Sequence, residues 1–297
     1  MDMDGIYLCL DVGGTEIKAA PIDGSGTVLQ PVRHFPSRAK EPADVLLAHF
    51  IRIFEAIRQE GRTISGLRLA FPGPFDYAKG ICLLRGLDKY DALYGVDLRR
   101  AFSRGSGIAP EDILFTNDAS AFALGEMGFG RARGAGRALF VCIGTGCGSA
   151  FGLNGRLAPD GTPGVPDGGY LYHAPYLDGC IDDYLSRRGL MALSRELLGE
   201  SLDGKSLALR VQRGDERARQ CFRAFGERIR DALLPYLAGF RPELLCLGGQ
   251  ITGSVPLFLE PLETGCCSYG IRLYTAKDTS ASILRGSSLI QPSPLLI

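Results

Sequence analysis

Two glycine-tipped hairpins, about half a chain apart, constrain this sequence more than any other feature. They are Asp11-Val12-Gly13-Gly14-Thr15 and Gly144-Thr145-Gly146-Cys147-Gly148. Each follows an apolar stretch of strand character, Ile6–Leu10 or Leu139–Ile143. Each leads into a second strand-like segment, Ile17–Ile22 or Ser149–Leu153, and then a tight turn, Asp23-Gly24 or Asn154-Gly155. Glycine lets backbone N–H groups approach an anion closely, and a carboxylate and a hydroxyl stand beside them. Two such loops facing each other would clamp a polyphosphate.

The remaining pattern extends this repeat into a fold. Ile6–Leu10, Ile17–Ile22 and Thr27–Val32 read as a meander, and Asp44–Gln59 as a helix with Leu46, Phe50, Ile53, Phe54 and Ile57 on one face. Leu67–Phe71 is a strand stopped by Pro72-Gly73-Pro74, Asp97–Arg104 a helix, and Ile113–Thr116 a strand from which Asn117-Asp118 opens a helix to about Met127. Pro159–Gly179 lacks periodicity and reads as a long functional loop. Helix returns from Ile181 and again over Glu216–Leu234, where Pro235 is expected to kink or end it. Leu244–Leu247 is a strand running into Gly248-Gly249. Strands that first meander and then alternate with helices, twice, predict two related α/β domains, each a mixed sheet flanked by helices, with the ligand in a cleft between them. The expected division is 1–117 and 118–286, with 287–297 packing back on the first domain.

Lys+Arg and Asp+Glu both number 33 in the 297 residues, so the net charge is zero. That balance argues against nucleic acid as the main partner. Nine cysteines, an odd number with no Cys-x-x-Cys pair, fit a reduced cytoplasmic protein better than a disulfide scaffold. The start, Met1-Asp2-Met3-Asp4, is acidic where a signal peptide is basic, and no apolar run is long enough for a bilayer, so no membrane association is expected.

Each candidate group carries a structural and a chemical reading. Asp11 before Gly13-Gly14-Thr15 is either an Asx turn or a corner where a carboxylate holds Mg²⁺ or its water while Thr15 and the loop amides hold phosphate. Gly144–Gly148 is not a dinucleotide fingerprint, because Ser149 stands where the last glycine is needed and no helix follows. Asn117-Asp118 is either an N-cap or a general base with a neighbouring amide; a carboxylate there would accept the proton of a hydroxyl attacking a γ-phosphate. Gly248-Gly249 is either a turn or a platform for a purine ring. His173 and Cys180 alone do not make a zinc site.

The order of these motifs resembles the ROK family of bacterial sugar kinases and sugar-responsive repressors, within the actin/hexokinase-like ATPase (ribonuclease H-like) fold. Asp11–Thr15 and Gly144–Gly148 resemble its two phosphate motifs, Pro72-Gly73-Pro74 its Pro-Gly-Pro loop, Asn117-Asp118-Ala119 its catalytic Asn-Asp-Ala, and Leu247-Gly248-Gly249 its adenosine-side glycines. The resemblance implies ATP- and Mg²⁺-dependent phosphorylation of a sugar hydroxyl, on a hexose or amino sugar. Asp118 would be the base. Asn117, Gly73, Asp167, Tyr170 and Asp182 would lie on the sugar side. Gly13, Gly14, Thr15, Gly144, Thr145, Gly146, Gly248 and Gly249 would lie on the ATP side, with Asp11 toward the metal. A homodimer is the family habit. The chain departs from the family in one region. Where most members read Gly-Glu-x-Gly-His before a zinc-binding cysteine cluster, it has Pro166-Asp167-Gly168-Gly169-Tyr170, and only Gly179-Cys180 of the cluster remains. Three ligands are missing, so no zinc is expected. Asp182 falls where the family has a sugar-binding glutamate. The ten residues before Asp11 leave no expected DNA-binding domain, which disfavours a repressor. A weakly catalytic sugar sensor, an acyl-phosphate-forming kinase and a cluster-bearing activase are the other rivals.

Overall fold

Three strands of the first sheet end in one row, and that row positions the first hairpin and Asp118. The computed structural model describes residues 5–58 and 63–291. These fall into two compact units, one drawn from Met1–Arg131 and Ser280–Ile297 and the other from Ala132–Thr279. The far ends of the chain and Gln59, the last residue of the helix expected from Asp44, lie outside the described residues.

The first unit comprises β1 (Ile6–Val12), β2 (Glu16–Asp23), β3 (Arg33–Pro36), α1 (Ala43–Ile57), β4 (Ile64–Ala70), a short ribbon of β5 (Phe75–Asp76) with β6 (Ile81–Cys82), α2 (Leu98–Ser106), β7 (Ile113–Thr116) and α3 (Asp118–Phe129). Its sheet runs β3-β2-β1-β4-β7. The first three strands are antiparallel, and β1, β4 and β7 are parallel. Asp11 pairs with Ala70, and Ala70 with Thr116, so the three parallel strands reach the same carboxyl edge. The third strand of the meander is Arg33–Pro36. Of the expected Thr27–Val32 only Val28 makes an isolated bridge, to Ile22. Pro31 lacks the N–H that would continue a ladder there. The core on one face of this sheet is aromatic: Phe50 and Phe102 lie 5.2 Å apart, and Phe71 and Tyr90 5.4 Å.

The second unit repeats the plan with β8 (Arg137–Ile143), β9 (Cys147–Leu153), β10 (Arg156–Leu157), a ribbon of β11 (Pro175–Tyr176) with β12 (Gly179–Cys180), α4 (Ile181–Tyr184), α5 (Arg187–Leu198), α6 (Gly204–Gln212), α7 (Glu216–Phe240), β13 (Leu244–Gly248), α8 (Leu259–Cys267) and β14 (Arg272–Thr275). Its sheet, β10-β9-β8-β13-β14, has the same order of hairpin and parallel strands. Asn154 and Gly155 both take positive φ in the β9–β10 turn, as a two-residue hairpin requires. Pro235 does not end its helix: α7 runs on to Phe240. The lost N–H is offset by burial of Leu233, Leu237 and Phe240 on the face toward the core. Each sheet is thus mixed and flanked by helices, as the sequence predicts.

The chain closes with α9 (Thr279–Ser287), most of which belongs to the first unit. It lies against α3 at glycines on both sides. A Cβ on Gly125 would strike the Ser282 carbonyl, and one on Gly286 the Ala121 carbonyl. Ser282 Oγ donates to Glu126 Oε1 at 2.6 Å across the same contact. Backbone has no side-chain freedom with which to yield. Gly286→Ala is therefore expected to cost about 1–3 kcal/mol, measured by denaturant unfolding; an unchanged midpoint would contradict the close approach.

Candidate active site

The first hairpin is polarised by bonds that reach it from elsewhere in its unit. Gly13 N–H closes the turn on Glu16 O at 3.0 Å. The three carbonyls at its tip each accept from a protein donor: Gly13 O from Tyr90 Oη (2.8 Å), Gly14 O from Ser37 Oγ (2.7 Å) and Thr15 O from Ser37 N–H (3.0 Å). Among the described residues, Gly14 N–H and Thr15 N–H donate to no protein acceptor. Electron-rich carbonyls are held back and donors are left over, which is the polarity an anion needs. The Tyr90 ring is fully buried in the aromatic core, and burial pushes its phenol up, so the hydroxyl remains a donor at neutral pH. Sequence reading missed Ser37 and Tyr90, because neither stands in a motif and both act across long separations.

Two carboxylates stand at this edge. Asp11 is the next-to-last residue of β1, and Asp118 begins α3 just after β7. Burial first, then the negative charge of Asp118, push Asp11 up to about 7 against the pull of Lys18 and the Ser280 hydroxyl. Lys18 Nζ in turn donates to Ser280 Oγ. Asp118 is likewise raised by burial, and is opposed by the Ala119 N–H, the Lys89 ammonium and Asn117. Both residues keep some surface open to water, yet the protein packed around them removes enough hydration to penalise the charged forms. Two crowded carboxylates, one driven toward protonation near neutrality, form a site that a bound cation would stabilise. Hard oxygen donors beside free amides suit a divalent cation carrying phosphate. Among the described residues no group of three or more His, Cys, Asp or Glu is arranged to hold a metal. A magnesium ion held by one or two carboxylates and by phosphate oxygens requires no such cage.

Asn117 does cap α3: its Oδ1 accepts from Ala119 N–H at 2.9 Å. Asp118 Oδ1 accepts from the same N–H at 2.9 Å, which orients the carboxyl at the helix start. The amide nitrogen of Asn117 donates to Tyr77 Oη at 3.3 Å, and Tyr77 donates to Phe71 O at 3.0 Å. A Cβ at Gly73 would lie 3.4 Å from the same Tyr77 oxygen. Gly73, Tyr77, Asn117 and Asp118 therefore form one neighbourhood, in the same unit as Asp11–Thr15.

The second hairpin repeats the polarity. Gly144 N–H bonds Gly146 O at 2.9 Å, Arg187 N–H bonds Gly144 O at 2.8 Å, and Cys147 N–H bonds Asp182 Oδ1 at 2.6 Å. Among the described residues, Thr145 N–H and Gly146 N–H have no protein acceptor. Gly248 pairs with Cys142, and Gly249 takes φ +92° where a Cβ would strike the Ile143 carbonyl. Only glycine fits that crossing. Beside it a cavity of about 440 Å³ is lined by Gly144, Arg187, Lys205, Gln212, Gln250 and Ile251, among others. Its wall includes the start of α6, which Asp203 caps through the Ser206 N–H at 2.8 Å.

Among the acceptor-side residues of this unit, Asp182 N–H donates to Tyr172 O at 2.9 Å. Asp182 is occupied at both oxygens, by Cys147 N–H and by Arg188 Nη2 at 2.6 Å. Asp167 is exposed in a 3₁₀ turn, and the Tyr170 ring lies 6.0 Å from that of Tyr172. Buried Ser149 holds this loop to β9, donating to Gly169 O and accepting from Leu171 N–H, both at 2.8 Å.

Residues 7–284 match the model of the ROK family. The chain is 26% identical over 290 residues to a glucokinase of Thermotoga maritima, covering 88% of this chain and 86% of that protein. It is 27% identical over 265 residues to an N-acetyl-D-glucosamine kinase of Pectobacterium atrosepticum, covering 83% and 84%. The crystal structure of a ROK hexokinase from Thermus thermophilus superposes with a TM-score of 0.79 over 96% of this chain and 97% of that one, at 24% identity, and so shares the fold. With a family match spanning nearly the whole chain, this protein belongs to the ROK family.

Proposed function

We propose that this protein is a sugar kinase, transferring the γ-phosphoryl group of ATP to a hydroxyl of a hexose or amino sugar with Asp118 as general base. One observation carries the reading. The row Asp11–Ala70–Thr116 sets a half-buried carboxylate, Asp118, at the same strand edge as a hairpin whose free amides suit phosphate. Asp118 takes the proton of the attacking hydroxyl, and its position at a helix N-terminus favours the ionised form that a base requires. Asn117 and Tyr77 orient the acceptor beside it. Asp11 is the residue for Mg²⁺, which would neutralise phosphate charge, and Gly14 and Thr15 are the phosphate donors of this unit. In the second unit Thr145 and Gly146 donate to phosphate, and the 440 Å³ cavity next to Gly144 takes the nucleoside, backed by Gly248 and Gly249. The glucokinase and N-acetylglucosamine kinase relatives support a hexose or amino-sugar acceptor, and the same reading expects a cytoplasmic homodimer without resident zinc. No helix among the described residues is long and apolar enough to cross a membrane.

A second reading, a sugar-binding sensor with little turnover, is favoured by Asp182. Its two oxygens are already committed to Cys147 and Arg188, so a sugar there must displace a bond. An ADP-release assay over a panel of hexoses and amino sugars separates the two. We expect turnover with at least one sugar and a loss of about 10²–10⁴-fold in Asp118→Asn; sugar binding without turnover would favour the sensor.

Tyr90→Phe keeps the ring in the core but removes the donor to Gly13 O, leaving a carbonyl unpaired at a cost of about 1–3 kcal/mol. The expected result is a raised KM for ATP with a smaller effect on the sugar; equal effects on both would argue against the hairpin's role.

Asp11 gives a pH prediction. Because its folded value is raised to about 7, the metal-free folded state binds more protons than the unfolded chain between its ordinary value and neutrality. Stability is therefore lost as pH rises through that window. Thermal melts in chelator should show Asp11→Asn gaining on the wild type between pH 5 and 8, and Mg²⁺ with ATP should narrow the gap. Parallel curves would contradict the crowded-carboxylate site.

A further inference from the structure

Lys89 is placed with unusual care for a residue outside every motif. It sits between Asp88 (φ 57°) and Tyr90 (φ 58°), two non-glycine residues in the left-handed region. Such strain persists only where surrounding contacts over-determine it. Here Tyr90 N–H bonds Ala39 O at 2.6 Å and Tyr90 Oη bonds Gly13 O at 2.8 Å, so the turn is fastened to the phosphate hairpin itself. The Lys89 stem runs along that hairpin: a Cβ at Gly14 would lie 3.6 Å from Lys89 Cδ. Its ammonium is close enough to Asp118 to act on that carboxylate electrostatically. Among the described residues it is half-buried and has no ion pair or hydrogen bond, whereas Lys40 and Lys79 pair with Asp88 and Asp76.

We propose that Lys89 is a further catalytic residue, its ammonium contacting the phosphoryl group in transfer between the Gly14 loop and Asp118. The inference rests on the kinase reading above. In the step, the sugar oxygen forms a bond to the γ-phosphorus and the bond from that phosphorus to the β-bridging oxygen breaks, leaving ADP. The hydroxyl proton passes to Asp118, and Lys89 stays protonated throughout. Negative charge spreads over the three equatorial oxygens as this happens, and a fixed cation beside them acts more strongly on that arrangement than on the ground state. A fixed cation there also opposes the burial that penalises the charged form of the neighbouring base.

The test compares Lys89→Gln and Lys89→Arg with the wild type in two ways. Steady-state kinetics with the best sugar of the panel should show kcat lower by roughly 10²-fold in Lys89→Gln, both KM values within about threefold, and partial recovery in Lys89→Arg. Calorimetry with Mg²⁺, ADP and aluminium fluoride, a mimic of the transferring group, should show a comparable loss of affinity in Lys89→Gln, while Mg²⁺–ADP alone binds within about twofold of wild type. A defect confined to the sugar KM would make Lys89 an acceptor contact and overturn the proposal, as would unchanged fluoride-complex affinity. If the wild type turns over no sugar, the kinase reading fails, and the fluoride comparison still decides whether Lys89 meets the transferring group.

Discussion

Everything at the candidate base depends on three parallel strands ending in one row. Register alone puts Asp11, Ala70 and Thr116 side by side. The residues that follow each strand, namely the first hairpin, the Pro72-Gly73-Pro74 loop and Asn117-Asp118, must then emerge at the same edge. Open α/β sheets place ligands beyond the carboxyl ends of their strands for this reason. A slip of one residue in β4 would turn its core side chains to the opposite face and move the edge with them.

The aromatic core ties packing to chemistry. Tyr90 belongs to the ring cluster of Phe50, Phe71 and Phe102, and the same residue holds the Gly13 carbonyl. The phosphate hairpin is thus preorganised by the hydrophobic core rather than by its own sequence. Ser37 completes the arrangement with two bonds, to Gly14 O and Thr15 O. The second unit reaches similar polarity by other means: Asp182 and Arg187 brace its hairpin from α4 and α5.

The sequence makes the local devices legible and conceals the distant ones. Both hairpins, the Asn154-Gly155 turn and the Asn117 cap are visible because their chemistry is complete within a few residues. The order of strands and helices follows from them, and with it the two mixed sheets. Pro235 does not stop its helix, because burial of Leu237 and Phe240 outweighs one lost hydrogen bond. Thr27–Val32 misleads because its apolar residues suggest a strand that Pro31 prevents. The strand Arg272–Thr275 and the helices at Gly204–Gln212 and Leu259–Cys267 carry weak patterns and form through their contacts. Tyr90, Ser37 and Lys89 act through bonds that span much of a unit, and no spacing in the chain announces them.

The central claim is that a phosphoryl group leaves ATP for a sugar oxygen beside Asp118. Phosphorus-31 NMR of the protein incubated with Mg²⁺, ATP and the sugar panel tests it most directly. The γ-phosphate signal of ATP should convert into a sugar phosphomonoester, coupled to a proton on the sugar carbon, and the same signal should build up about 10²–10⁴-fold more slowly with Asp118→Asn. ATP converting only to inorganic phosphate, or persisting unchanged while sugar binds, would contradict it.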